Sequence, residues 1–366
     1  MEQDFEAARL TVRLDAIADN YRLFGRLAEP AAVAAVVKAD AYGLGVAKVA
    51  PALAEAGCDS FFVARLEEGV ALRPLVPGAR IFVLDGAPPD AVPALLSHAL
   101  TPVLNSLADI AAWSAAAGAA RRTLEAALHI DTGMNRLGLA GDELAILSAQ
   151  HAARLEGLNL ALVMSHLACS DDAAAKMNGE QLSRFRAALA MLPSAPASLA
   201  ASGGVLLGKA YHFDMVRPGL GLYGGNPHPG RENPVKAAAV LAGRMLQLRR
   251  IDSGESVGYA ATFRAKRPTM LATVALGYAD GIPRAASGRG AAAIGGARVP
   301  FMGRVSMDLV CLDITDLPFE PKRGDEVQFL GDTITLEDAA EAAGTSAYEI
   351  LTRLARAPRR YQGGAA

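Results

Sequence analysis

Short apolar runs alternate with amphipathic or alanine-rich stretches over residues 31–222. Eight runs are each short enough for one strand: 31–38, 60–64, 80–86, 100–105, 124–131, 158–166, 198–202 and 212–219. Helix-like segments lie between runs, at 45–56, 89–98, 106–118, 141–154 and 178–191. Eight strands that alternate with helices are typical of a closed (β/α)8 barrel, with an open doubly wound sheet as the alternative. The count of eight favours the barrel.

The pattern changes after the Pro/Gly-rich stretch at 226–230, which predicts a linker. Beyond it, residues 335–356 favour helix, and shorter apolar runs are separated by Gly, Pro and Asp, at 235–251, 270–277, 291–301, 304–313 and 325–330. We therefore predict an α/β protein, in which a TIM-like barrel is followed by a mostly-β C-terminal domain. The expected division is an N-terminal strand outside the barrel at 1–10, the barrel at 11–225 and the C-terminal domain at 226–366.

Composition excludes several functional classes. The chain has 36 Lys+Arg and 38 Asp+Glu, a net charge of −2, which gives no support for binding nucleic acid or a membrane surface. The first residues lack the basic-then-apolar order of a signal peptide, and no apolar run approaches transmembrane length. Three widely separated cysteines fit a reducing cytosol, and no cluster has zinc-ligand spacing. We expect a cytoplasmic protein without a metal.

Lys38 is the first candidate for chemistry. It follows the apolar run 31–37, so it lies at the carboxyl end of a core strand, where parallel α/β folds place their active sites. Burial there lowers the pKa of a lysine and frees its amine to form a Schiff base. The alternative is a strand-end lysine that points to solvent.

Further polar residues follow the other strand ends. Arg136 projects from the loop after Asp131, where its forked donors could bind a carboxylate or cap backbone carbonyls. The glycine-rich segments 201–204 and 217–225 follow the seventh and eighth strands, where barrels commonly bind phosphate, although such segments are often only turns. The remaining candidates at these strand ends are Tyr42, His129, His166, Ser202 and Arg217.

Six segments together resemble the alanine racemase family, enzymes of fold type III that depend on pyridoxal 5'-phosphate. They are AVVKADAYGLG, HIDTGMNRLG, VRPGLGLYG, VGYAATF, GYADGIPR and GRVSMDL, in the family's order and approximate spacing. The resemblance covers nearly the whole chain. It implies an isomerase that interconverts L-alanine and D-alanine, supplying D-alanine as a peptidoglycan precursor or degrading it.

The resemblance also implies two catalytic bases. Lys38 would hold the cofactor and act on one face of the substrate, and Tyr259, reaching in from the other subunit of a head-to-tail homodimer, would act on the opposite face. Two opposed bases can remove the α-proton and return it on the other side without turning the substrate over. A tyrosine is a poor base at its ordinary pKa near ~10, so a nearby cation must stabilise its phenolate.

The remaining implied roles concern binding. Arg217 contacts the pyridine nitrogen, which keeps the ring unprotonated and weakens it as an electron sink, and His166 orients Arg217. The implied phosphate contacts are Tyr42, Ser202, Gly219 and Leu220, the last two through the backbone. The substrate carboxylate would meet Arg136 and the partner subunit's backbone at Met307, and Tyr278 would line the entrance.

The chain departs from the family pattern at three places. His129 stands where many members have a lysine, often carbamylated, and Ala201 stands where the family usually has Asn. No phosphate-binding tyrosine is evident near 353–356. Because imidazole forms no stable carbamate, we expect a neutral His129, activity independent of bicarbonate, and another acceptor or an anion to hold Arg136. We also expect KM to rise as pH falls through the histidine range near ~6.5.

Three other readings compete. A racemase of broader or different specificity, for serine or lysine, differs by pocket volume, and one methylene is worth only ~1–3 kcal/mol. A related fold-type III decarboxylase is disfavoured by Tyr259 in its GYAATF setting. A single-barrel cofactor carrier would lack the second domain.

Overall fold

A computed structural model describes residues 6–364 of the chain, in which a parallel and an antiparallel sheet form the two domains. The chain begins with β1 (Ala8–Arg13) and α1 (Leu14–Ala28), which precede the barrel. Residues 1–5 of the strand expected at 1–10 lie outside the described residues. The boundaries at residues 10/11 and 225/226 stay predictions.

The first sheet is a parallel barrel. Its strands are β2 (Ala32–Val33), β3 (Ala35–Val36), β4 (Ser60–Val63), β5 (Arg80–Val83), β6 (Thr101–Leu104), β7 (Leu124–His129), β8 (Leu158–Met164), β9 (Ala197–Ser198) and β10 (Met215–Val216). β2 and β3 form one interrupted strand, because the Ala34 N–H donates to the Val216 carbonyl. β10 pairs with β2, and the N–H groups of Asp214 and Arg217 donate to the segment after Pro196. The predicted eight-stranded barrel is confirmed.

Helices cover the outside of the barrel. They are α3 (Val46–Glu55), α4 (Leu66–Leu72), α5 (Val92–Ser97), α6 (Leu107–Ala120), α7 (Gly141–Arg154), α8 (Lys176–Ala190) and the short α9 (Ser202–Leu206), whereas α2 (Lys38–Tyr42) is a single turn at the barrel mouth. Successive strand residues face opposite sides, so Phe61 packs against helices while Phe62 stacks on Phe82 inside the barrel. Both faces are buried, which explains the unbroken apolar runs of the sequence.

The second sheet is antiparallel and also closes on itself. A six-strand ring contains β11 (Ala239–Ile251), β14 (Thr269–Ala275), β15 (Ala291–Ile294), β16 (Ala297–Met302), β17 (Leu309–Asp313) and β18 (Glu326–Leu330). β1 and the C-terminal β19 (Arg359–Gln362) extend this sheet from β11, and β12 (Ser256–Val257) and β13 (Phe263–Arg264) form a separate small hairpin. The mostly-β C-terminal domain is therefore confirmed.

Two local expectations differ from the structure. The apolar run 291–301 is a hairpin that turns at Gly295 and Gly296, both with positive φ. The helical stretch 335–356 is broken at Gly344 into α10 (Leu336–Ala343) and α11 (Ala347–Arg353). Across residues 6–364, no helix combines the length and apolarity needed to cross a bilayer.

Candidate active site

A cavity of about 560 Å³ opens at the carboxyl ends of the barrel strands. Its volume lies within the ordinary range for small-molecule sites. Nine of the residues singled out in the sequence line it together: Lys38, Tyr42, His129, Arg136, His166, Ser202, Arg217, Gly219 and Leu220. The barrel topology thus brings residues from position 38 to position 220 together at one end of the barrel.

Lys38 is presented by an unusual turn. Residues 39–42, none of them glycine, all have φ between 53° and 56°, which is the left-handed region. Each such residue costs roughly 1–2 kcal/mol relative to the right-handed form, so the surrounding contacts must hold the turn. Burial, and then the charge of Arg136, lower the pKa of the Lys38 amine, while Glu68 and Asp85 act in the opposite direction. The half-buried amine is therefore deprotonated more easily than an ordinary lysine.

Arg217 lines the cavity, is buried, and is held by three partners. Its Nη1 donates to the Ser198 hydroxyl, which in turn donates to the Met215 carbonyl at 2.6 Å. Its Nη2 donates to the Ser165 carbonyl at 2.7 Å and approaches His166 Nδ1 at 3.5 Å. Burial lowers the pKa of Arg217 to about 10. The guanidinium is fixed in position and carries its positive charge at neutral pH.

His166 and His129 are both held in the neutral form. Burial, followed by the charge of Arg217, lowers the pKa of His166 to about 3 and that of His129 to about 4. His129 Nδ1 lies 2.9 Å from Asn105 Oδ1, and the Asn105 amide group donates to the carbonyls of Leu84 and Val103. With both amide hydrogens used, Asn105 Oδ1 can only accept, so His129 carries its proton on Nδ1 and has Nε2 available as an acceptor.

The loop that carries Arg136 is organised by Asp131. One carboxylate oxygen of Asp131 accepts the N–H groups of Gly133, Met134 and Asn135, at 2.8, 3.0 and 3.2 Å. The loop is closed at its base by a bridge between Ile130 and Leu139. The arrangement aims Arg136 into the cavity together with Lys38.

The cavity wall around Ser202 is suited to an anion. The Ser202 hydroxyl accepts the N–H groups of Gly219 and Gly221, at 3.0 and 3.1 Å. The start of α9 and the glycine-rich segment after β10 are therefore held together. A Cβ at Gly219 would overlap the Tyr42 hydroxyl, and one at Gly203 would lie 2.5 Å from the Ser170 carbonyl. Glycine is therefore required at both positions, and backbone N–H groups can approach a bound phosphate closely.

We did not identify Tyr348 from the sequence. It is the second residue of α11 (Ala347–Arg353) and lines the cavity, and the centre of its ring lies 6.1 Å from that of Tyr42. A C-terminal tyrosine is thus present at the site, but it lies before the 353–356 segment where the sequence offered none. Ser346 could have indicated a helix start just before Tyr348, because its side chain caps α11.

Tyr259, Tyr278 and Met307 do not join this cavity in the single chain. They lie in the second domain, where Tyr259 is 69% and Met307 54% exposed. Residues 259–261 form a tight turn in which Ala260 and Ala261 have positive φ, and this turn projects the Tyr259 ring outward. Tyr278 lies beside Met307, since the N–H of the next residue, Ala279, donates to the Met307 carbonyl at 2.9 Å.

Comparison with known proteins gives a consistent result over the whole chain. The family model described as "Alanine racemase, N-terminal domain" matches residues 12–227, and "Alanine racemase, C-terminal domain" matches residues 238–361. An alanine racemase of Rhodospirillum rubrum is 49% identical, with 99% of this chain and 97% of the relative covered. A catabolic alanine racemase of Agrobacterium fabrum is also 49% identical, with 97% and 92% covered.

A solved structure has the same fold. It is an alanine racemase from Bartonella henselae with covalently bound pyridoxal phosphate. It is 40% identical and superposes with a TM-score of 0.93 over 97% of this chain and 99% of its own. Both domains are therefore shared.

Proposed function

The chain belongs to the alanine racemase family, and from that premise we propose how its residues interconvert L-alanine and D-alanine. The enzyme is an isomerase. One observation supports the assignment above all others: a half-buried lysine of lowered pKa shares its cavity with an arginine and a glycine-lined anion site.

We propose pyridoxal 5'-phosphate as the cofactor, because the residues present fit it. Lys38 would hold it at one end, while Tyr42, Ser202 and the backbone at Gly219 and Leu220 would receive the phosphate at the other. Two glycines leave the space that a Cβ would fill, and Arg217 offers a fixed cation on the floor. When bound, the cofactor acidifies the α-proton of an amino acid by serving as an electron sink.

Arg136 is the proposed anchor for the substrate carboxylate. Its loop is held by Asp131, and a guanidinium binds a carboxylate through paired hydrogen bonds. His166 lies beside Arg217 and orients it, and because His166 is neutral it does not repel the positive guanidinium. Arg217 in turn would be too poor an acid to protonate the ring nitrogen of a bound cofactor, which would weaken the ring as an electron sink and so limit side reactions.

The proton moves between two residues on opposite faces of the substrate. Lys38 is the base that takes the α-proton of D-alanine, and Tyr259 of the partner subunit is the base for L-alanine. In a head-to-tail homodimer the partner would also bring its backbone at Met307 to the carboxylate and Tyr278 to the entrance. Support comes from the exposure of Tyr259, which does not line the cavity of its own chain.

The test is whether the enzyme racemises enantiopure alanine. The purified protein should convert L-alanine to D-alanine and the reverse, measured by chiral chromatography, whereas Tyr259→Phe should lose racemisation yet still exchange the α-proton of D-alanine with solvent deuterium. Near-normal racemisation by Tyr259→Phe would reject the two-base scheme. A panel with serine and lysine separates an alanine-specific enzyme from one of broader range.

We propose the cytoplasm as its compartment, in keeping with three unpaired cysteines. There the reaction would supply D-alanine for peptidoglycan or degrade D-alanine. A deletion strain that requires D-alanine for growth would indicate the first role, and one that fails to grow on D-alanine as a carbon source would indicate the second.

A further inference from the structure

The turn that presents Lys38 is gripped from one side by a single carboxylate. Glu68 Oε1 accepts the Ala39 N–H at 2.7 Å, 29 positions away in the chain. Glu68 Oε2 accepts the N–H groups of Ala64 and Arg65, at 2.8 and 3.1 Å. One side chain therefore joins the end of β4, the start of α4 and the first left-handed residue after Lys38.

Asp40, the second residue of the turn, makes further contacts that hold it. Its Oδ1 accepts the Val46 N–H at 2.8 Å, where α3 begins, and its Oδ2 pairs with Arg359 of β19 at 2.8 Å. The two carboxylates thus tie the turn to α3, α4 and the C-terminal strand. A backbone in an unfavourable conformation persists only where its surroundings determine it, and Glu68 acts on the residue adjacent to Lys38.

We propose that Glu68 is a positioning residue for Lys38: its hydrogen bond to Ala39 fixes the left-handed turn and so places the lysine amine in the cavity. The inference rests on the proposed role of Lys38. Glu68 itself does not line the cavity, so it does not touch the substrate. It reaches Lys38 through the Ala39 backbone and, more weakly, through its negative charge.

A purely structural role competes with this one. Glu68 is the third residue of α4, and its bond to the Arg65 N–H is half of a capping box that stabilises the helix start. The two functions use different oxygens, which allows them to be separated. In Glu68→Gln, the single amide oxygen should face the two donors at Ala64 and Arg65, and the NH2 group should face the Ala39 N–H. Because glutamine also serves in capping boxes, the substitution keeps the cap and removes the contact with Ala39.

The experiment measures amide hydrogen exchange in the protein without cofactor. In Glu68→Gln the Ala39 amide should exchange about tenfold faster, the equivalent of one charge-assisted hydrogen bond, while local exchange of the α4 amides stays unchanged. Glu68→Ala should accelerate both the Ala39 and the α4 amides. The matched control is Glu67→Gln, the exposed neighbour on the same helix, which should change neither.

Steady-state kinetics of the loaded enzyme complete the test. Glu68→Gln should lower kcat for D-alanine about tenfold and leave KM within about twofold, because the carboxylate site at Arg136 is untouched. Three results for Glu68→Gln would each overturn the proposal: unchanged exchange at Ala39, faster exchange at Ala39 with unchanged kcat, or equal acceleration of the Ala39 and α4 amides. The exchange measurement reads the contact even if the protein proves inactive toward alanine, so failure of the proposed function is distinguishable from failure of this inference.

Discussion

His129 is kept neutral by its surroundings although it stands between two arginines. Burial opposes a charge on the ring, and Arg217 and Arg136 add to that effect, so its pKa falls to about 4. Asn105 fixes the proton on Nδ1 and leaves Nε2 as a neutral acceptor on the side of the cavity. A neutral acceptor can support Arg136 without the negative charge that a carbamylated lysine would supply.

The pH dependence of unfolding tests this state of His129. The unfolded histidine gains a proton near pH ~6.5, whereas the folded one resists until about pH 4, so lowering the pH through this window favours unfolding by up to ~1.4 kcal/mol per pH unit. Denaturant unfolding should show the parent losing stability more steeply in this window than His129→Asn. Burial and Arg217, the main causes of the lowered His166 pKa, are present in both proteins, so equal slopes would contradict the account.

The same lowered pKa revises an expectation from the sequence. The rise in KM at acid pH, expected near ~6.5 for an ordinary histidine, should be displaced toward pH 4 in the parent and be weaker in His129→Asn. Activity should be unchanged after removal of carbon dioxide and bicarbonate. A KM limb that stays near ~6.5, or a dependence on bicarbonate, would show that the ring is not held neutral.

At the scale of an element, the loop at 131–138 depends on one carboxylate. Asp131 gathers three consecutive N–H groups that would otherwise be unpaired, and this folds the loop so that Arg136 faces Lys38. The loop contains Gly133 and Asn135 at positive φ, which shows how tightly it turns. Because this loop carries Arg136, we expect its conformation to affect binding of the substrate carboxylate more than the proton transfer.

Asp131→Ala should raise KM for alanine about tenfold or more, because hydrogen bonds to a charged group are worth ~1.5–3 kcal/mol each, and should lower kcat much less. Asp131→Asn keeps one acceptor oxygen and should fall between. Asp142→Ala is the control, since Asp142 accepts the N–H of its neighbour Glu143 at the exposed start of α7. A fall in kcat with unchanged KM in Asp131→Ala would place the loop in the chemical step instead.

At the scale of the whole molecule, one chain holds two incomplete halves of the proposed machinery. Lys38 and Arg136 line the barrel cavity, whereas Tyr259 and Met307 are exposed on the second domain and do not line it. A two-fold arrangement in which each second domain covers the partner's barrel would complete two sites at once.

Mixing two inactive variants tests this arrangement. Lys38→Ala and Tyr259→Phe protomers should form mixed dimers with one intact site, so random exchange of equal amounts should restore about one quarter of the parent racemase activity. Neither variant alone should approach that value. If no activity returns although exchange is demonstrated by mass spectrometry of differently labelled subunits, both bases come from one chain.

The sequence by itself determined the architecture and the family. All eight apolar runs overlap barrel strands, although the run 198–202 shares only Ser198 with β9. A strand buried on both faces favours apolar residues at successive positions and so leaves a local signal. The motifs around Lys38, Arg136 and Arg217 were equally readable, since each follows a strand end and the barrel brings strand ends together. Helix α1 was missed although its buried positions Leu14, Ile17 and Phe24 follow helical spacing.

Only the tertiary structure decided how those residues are held. The contacts between Glu68 and Ala39, between Asn105 and His129, and between the Tyr42 and Tyr348 rings join segments that are distant in the chain. The left-handed turn after Lys38 was likewise invisible, because Ala39 and Ala41 have no intrinsic preference for that conformation. Hydrogen-bond partners and desolvation depend on which segments the fold brings together. A neutral His129 and a Lys38 of lowered pKa were both expected from the sequence, but the groups that cause these shifts were identified only by the structure.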